Sequence, residues 1–350
     1  MLSLLTAPLA LFLIAACFSV AMGGDESAQP QPEPTPTPLQ VLQRQAEALK
    51  PLVQTPAAKA MLAAAADLPT IKPRVMYYDA KSQQAVSESA WLELDESQRE
   101  QYNRAELGEQ FYYNTRYGTP LAYVRAFDLV AAEGLASFED TCIFDFGYGT
   151  IGHLRLLASL GAQVQAVDVD SLLREMYSAH GDTGVIERAA VAGEGSPGSI
   201  TLHHGFFPAD AELTKSVGEG YDLFISKNTL KRGYIHPEQE ADPRMLVHLG
   251  VDDDTFVRTV HRMLKPGGYL MIYNLYPSPS AEGEPYKPWA DGRCPFDREL
   301  FEAAGFEVIA YNADDTQAAR AMAIALGWDE QMQLETDLFG MYTLVRKRDG

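Results

Sequence analysis

From residue 121 onward the apolar positions fall into short runs, and stretches with apolar residues at helical spacing separate them. The runs at 142–146, 163–168, 199–203, 221–228 and 269–274 predict five strands, each followed by helix or loop. A passage at 301–309 goes from helix into a sixth strand, and 338–345 predicts a seventh. Helices are expected at 154–160, where Gly161 serves as the C-cap, and at 254–264, with Phe256, Val260 and Leu264 on one face. Strand and helix in alternation predict an α/β fold around a mostly parallel sheet.

The first 120 residues follow a different pattern. Residues 2–22 carry no charged side chain and centre on an apolar run, so 1–24 reads as an export leader or an anchor. Ile14-Ala15-Ala16-Cys17 resembles a lipobox, which would make Cys17 a lipidation site; a start at Met22 would instead give a cytoplasmic product. Residues 25–38 form a Pro-rich linker. Residues 39–120 read as a mainly helical N-terminal extension that can lid a pocket, with helices at 39–52, 57–68 and 94–107 and a short strand at 74–78. The last of those helices opens at Asp95. An amphipathic helix at 119–135 leads into the main domain, 121–350.

Chemistry concentrates where the first of these strands ends. Asp145-Phe146-Gly147-Tyr148-Gly149-Thr150-Ile151-Gly152 is a strand breaking into a glycine turn ahead of a helix, and such a turn lets backbone N–H groups approach a ligand. The next strand ends in Asp168, about 20 residues past the first glycine, the separation at which a strand-end acid holds a ribose diol. Two cofactor classes fit those residues. The glycines at 147, 149 and 152 spell the dinucleotide fingerprint, and the leading acid Asp145 suits S-adenosylmethionine (SAM).

Downstream residues separate the two. Leu264-Lys265-Pro266-Gly267-Gly268 followed by an apolar strand resembles the corresponding motif of class I SAM-dependent methyltransferases, and Phe301-Glu302-Ala303-Ala304-Gly305-Phe306 resembles their passage into strand six. The resemblance covers roughly residues 110–347. It implies a doubly wound seven-stranded sheet of order 3-2-1-4-5-7-6, a Rossmann-like methyltransferase domain, with SAM as cofactor. The family's third glycine commonly stands two residues after the second, where this chain has Ile151.

Carried onto this sequence, the resemblance implies cofactor contacts from Asp145, Gly147, Gly149, Thr150, Gly152 and Asp168. It adds Phe206 beside the adenine and Ser226 at the end of strand four. Gly152 also suits helix packing, and Asp170 is the better helix cap than Asp168. Tyr117, in an aromatic run with Arg116, stands where it can close over the cofactor. Asn228, Tyr234 and His236 are the catalytic candidates, His236 as a base for an oxygen acceptor. The segment 277–294 is placed to select substrate.

A formal net charge of −20 without any basic cluster excludes a nucleic-acid surface and favours a small-molecule or protein acceptor. No metal is expected. Asp252-Asp253-Asp254 reads as a helix start, and His203 and His204 face opposite sides of a strand. The rival functions are an exported, non-catalytic binding module on the same fold and an NAD(P)-binding oxidoreductase.

Overall fold

The apolar runs become strands of two sheets in the computed structural model, which describes residues 35–349. The leader, Cys17 and the linker up to residue 34 lie outside the described residues. Among those described, no helix is long and apolar enough to cross a membrane. Residues 36–349 belong to one unit.

β1 (Arg74–Asp79), β2 (Gln84–Ser87) and β3 (Asn103–Leu107) make a small antiparallel sheet of order β2-β1-β3. The large sheet comprises β4 (Cys142–Phe146), β5 (Gln163–Asp168), β6 (Gly184–Ile186), β7 (Gly198–His204), β8 (Tyr221–Lys227), β9 (Leu264–Tyr276), β10 (Phe306–Asp314) and β11 (Phe339–Lys347). Its order is β10-β11-β9-β8-β4-β5-β7-β6. Without β6 this is the anticipated 3-2-1-4-5-7-6. The eighth strand is a short antiparallel addition to the β7 edge.

Alternation along the central strands divides the core between the two faces. Ile143, Leu223 and Ile225 face a cluster that includes Leu154, Leu157 and the extension residues Leu42, Leu49 and Met61. Phe144 and Phe224 face the other side, where Phe207, Phe256, Phe296 and Phe301 interlock. The helix Asp253–Met263 covers this second face, capped by Asp252, whose carboxylate accepts from Thr255 N. That observation accounts for the acidic run as a cap.

The extension departs from its reading in its second and third strands, β2 and β3. Residues 94–107 are not one helix: Asp95 caps a single turn, Glu96–Arg99, and 103–107 then pair with β1. Ala105 and Leu107 alternate with exposed Arg104 and Glu106, a period of two. The small sheet packs on the helix Ser171–Met176, where Ala85 N donates to Ser171 Oγ. The small sheet therefore flanks the large one.

Asp128 joins extension and sheet. Buried on the helix Val124–Ala132, it accepts from Thr55 N and Thr55 Oγ1, both at 2.8 Å, and from Gln54 N at 3.1 Å, with Arg125 3.6 Å away. Replacing it by alanine strands those donors, so Asp128→Ala should cost about 2–4 kcal/mol. A lowered urea midpoint at unchanged slope is the expected result.

Candidate functional site

β4 has β5 on one side and β8 on the other, and the connections leaving β4 and β8 diverge, which opens a crevice beyond the carboxyl ends of the strands. The crevice holds a cavity of about 730 Å³. Its floor on the β4 side is the glycine turn. Gly147 (φ +76°) and Gly149 (φ +58°) adopt left-handed backbone, which folds the chain back before the helix Gly152–Ser159 begins. Gly147 N donates to Val167 O at 2.9 Å, locking the turn to β5.

Asp168 closes β5 and lines the cavity. Gly149 N donates to its Oδ2 at 3.2 Å and Asp170 N to its Oδ1 at 3.0 Å. Loss of solvent raises its pKa to about 6, although backbone donors from Asp170, Gly149 and Val169 oppose the shift. The carboxylate is thus held in place by backbone donors, half-buried, with acceptor capacity facing the hollow. Asp170 caps the helix Ser171–Met176 through Leu172 N.

Gly147, Gly149, Thr150, Asp168, Phe206, Tyr117, Asn228 and Tyr234 all border this cavity. Phe206 stands on the rim at 59% exposure, and Tyr117, at 50%, packs against Gly149 while its hydroxyl donates to Asp170. Arg116 also binds Asp170, so its charge is engaged there. Asn228 has φ +64° and accepts from Leu275 N at 2.7 Å through Oδ1, which ties β8 to β9.

Four residues named from the sequence stand elsewhere. Asp145 is fully buried beneath the turn, with Oδ2 2.5 Å from His153 Nε2. Gly152 serves close packing: a Cβ there would lie 2.7 Å from Pro120. Ser226 is buried and donates to Phe146 O at 3.1 Å. His236 is exposed beside Asp253, 2.9 Å away, and lines a separate cleft. His203 and His204 bind Gln165 and Val169 O respectively, on opposite sides of β7, and no metal-binding cluster occurs among the described residues.

Neither of two buried lysines is among the site residues that the sequence singles out, although Lys227 stands between Ser226 and Asn228 at the exit of strand four, where the resemblance places the acceptor. Lys227 is 6% exposed and Lys231 4%, and both line the cavity. Lys227 Nζ lies 5.1 Å from the centre of the Tyr123 ring, which stacks on His153 at 3.6 Å. Burial lowers the Lys227 pKa to about 8; for Lys231, burial and the charge of Lys227 lower it to about 7. The signal was present: Tyr-Asp-Leu-Phe-Ile-Ser-Lys is a central strand, covered on both faces, so its lysine had to be buried.

No family model and no curated protein matches the chain. Solved structures do. The [4+2]-cyclase SpnF is 18% identical, covers 90% of this chain and 97% of its own, and has a TM-score of 0.36. An S-adenosylmethionine dependent methyltransferase from Mesorhizobium loti is 17% identical over 63% of this chain and 98% of its own, with a TM-score of 0.34. Phosphoethanolamine N-methyltransferase 2 of Haemonchus contortus, in complex with S-adenosyl-L-methionine, is 14% identical over 71% of this chain and 63% of its own, with a TM-score of 0.35. Likeness so remote carries no weight for activity; the strand order itself sets the fold.

The turn glycines differ in what a side chain would meet. A Cβ at Gly147 would stand 2.2 Å from Thr229 Oγ1 and 2.8 Å from Thr229 Cβ, whereas at Gly149 it would touch the movable Tyr117 ring at 3.1 Å. Both substitutions incur the left-handed penalty of about 1–3 kcal/mol. Gly147→Ala should therefore lower the denaturation midpoint more than Gly149→Ala, and equal losses would show that the Thr229 contact yields freely.

Proposed function

We propose that the cavity binds S-adenosylmethionine and that the protein transfers its methyl group to an acceptor. The carrying observation is Asp168: a desolvated carboxylate at a strand end, fixed by Gly149 N, facing a hollow large enough for a nucleoside ligand. A pair of ribose hydroxyls donating to it would replace the water it has lost. The backbone of residues 147–150 borders the same hollow, leaving room for the methionine portion, and Phe206 offers a ring face at the rim.

The cofactor supplies an electrophilic methyl group on a sulfonium. The chain's part is to hold and orient. Asp168 fixes the ribose end, and the glycine turn sets how deep the ligand sits. An acceptor lying over β8, across β4 from Asp168, would approach the methyl group from that side. The C–S electron pair leaves with sulfur as the acceptor's lone pair forms the new bond. Tyr234 and Asn228 border this end, but Asn228 Oδ1 is engaged by Leu275 N, so Tyr234 is the freer of the two to touch an acceptor.

The oxidoreductase alternative requires a dinucleotide at the same turn, and binding separates the two. Calorimetry should show affinity for SAM and for its demethylated product S-adenosylhomocysteine (SAH), and none for NAD. Asp168→Asn should weaken SAM binding about 10- to 100-fold, the size of a lost charge-assisted hydrogen bond. The wild-type affinity should fall as pH drops through about 6, where Asp168 takes up a proton, and the variant should lose that dependence. Stability has the opposite sign. A carboxyl with a raised pKa contributes stability below its ordinary value of 3.8 and loses it as pH rises through about 6, whereas in Asp168→Asn one of the two backbone donors, Gly149 N or Asp170 N, meets an amide N–H in place of an acceptor. Unchanged SAM affinity in the variant would sink this reading.

A further inference from the structure

The far end of the cavity holds charge that the cofactor reading does not use. Lys227 closes β8 and Lys231 follows four residues later, whereas Asp168 closes β5, with β4 between. Two inter-strand steps separate Asp168 from Lys227, roughly 10 Å at the usual spacing. The lysines therefore sit on the acceptor side.

Among the described residues, Lys227 Nζ has no hydrogen-bond or ion-pair partner and rests only on the Tyr123 ring face. Asp145, the acid that favours its charge, has Oδ2 engaged by His153. Lys231 Nζ donates to Leu275 O at 2.6 Å and Trp289 O at 3.4 Å, which places two of its three donors, and it lies 5.4 Å from the Tyr234 ring centre. A buried ammonium without an anion is costly. Lys227 has one carboxylate within electrostatic reach, Asp145, whose Oδ1 has no hydrogen-bond partner, and Lys231 has none on the cavity lining near it, so two buried ammoniums against one buried carboxylate leave positive charge that an anionic ligand would balance.

The walls around them are apolar. Tyr234, Leu275, Pro277, Trp289 and Val247 line this end, and among the described residues Asp168 is the one acidic side chain on the cavity surface, at the opposite end. The other basic groups on the lining are Arg244, which is bound to Asp242, and His248.

We infer that the methyl acceptor is a small apolar or aromatic molecule bearing an oxyanion, a carboxylate or a phosphate, which Lys227 and Lys231 receive in the cavity over β8 and β9. The inference rests on the SAM reading for the word acceptor; the anion site itself stands on the two lysines.

The test titrates the full chain, with and without SAH, with benzoate, phenyl phosphate and the neutral isostere benzamide. At pH 6.5 benzoate or phenyl phosphate should bind at least about tenfold tighter than benzamide, and whichever is tighter identifies the oxyanion. The preference should fade as pH rises past 8, where both lysines lose their protons. Lys227→Met and Lys231→Met should each cut benzoate affinity about tenfold and leave SAH affinity unchanged. Equal binding of benzamide by the wild type overturns the inference without recourse to variants. So does a parallel loss of SAH affinity in Lys227→Met, which would assign that lysine to the cofactor's carboxylate. Anion preference without SAH binding would sink the methyl-transfer reading alone, and SAH binding without anion preference would sink only the oxyanion.

Discussion

Parallel strands whose connections part company cannot close over their own ends. β4 is the strand where this happens: the chain passes from it to β5 on one side and reaches β8 on the other only after β6 and β7 have been laid down beyond β5. Everything functional follows from the resulting gap. The glycine turn, the β5 carboxylate and the β8 lysine are the three strand termini that face it, and each is fixed by its neighbours across the sheet: Gly147 N to Val167 O, Ser226 Oγ to Phe146 O, and Asn228 N to Tyr273 O.

The groups on this gap are poorly solvated in the free protein. Asp168 is held above its ordinary carboxyl range, and Lys227 and Lys231 well below theirs. Each shift opposes folding near neutrality. For the lysines the unfolded chain binds more protons between about 7 and 10.5, so stability rises with pH across that window. A positive group and a negative group within one cavity would cancel if they met. β4 keeps them apart, so a hydrogen-bond donor beside Asp168 and an anion beside the lysines would each relieve one end of the cavity.

Much of the sheet was legible because its signals are local. β5 matches its expected span, 163–168, because Gly161 ends the preceding helix and Asp168 ends the strand. Asp252 and Asp170 acted as caps, which their spacing to the following helices announced. The N-terminal part was less legible. Residues 103–107 carry the alternation of an edge strand but follow a good helix cap, and only pairing with β1 decides between them. β6 has three residues and no pattern of its own; the open edge of β7 recruits it. At the site, which residues border the hollow was readable for the turn and β5, since backbone geometry dictates it. The inward turn of Asp145 toward His153 was not, because the partner comes from the next helix and burial depends on the Tyr123 ring laid across it.

Arg125 occupies a pivotal place in the wiring of the chain. Its guanidinium meets Asp128, which fastens residues 54 and 55, and also Asp315, which in turn accepts from the Tyr273 hydroxyl on β9. Segments more than 250 residues apart in the sequence thus converge on one cation. The helical and sheet portions are in this sense inseparable: a shortened version beginning near residue 121 would expose Leu42, Leu49 and Met61's apolar counterparts and release a buried acid at once. Any trimmed form meant for crystallisation or engineering has to retain the segment from residue 38 onward.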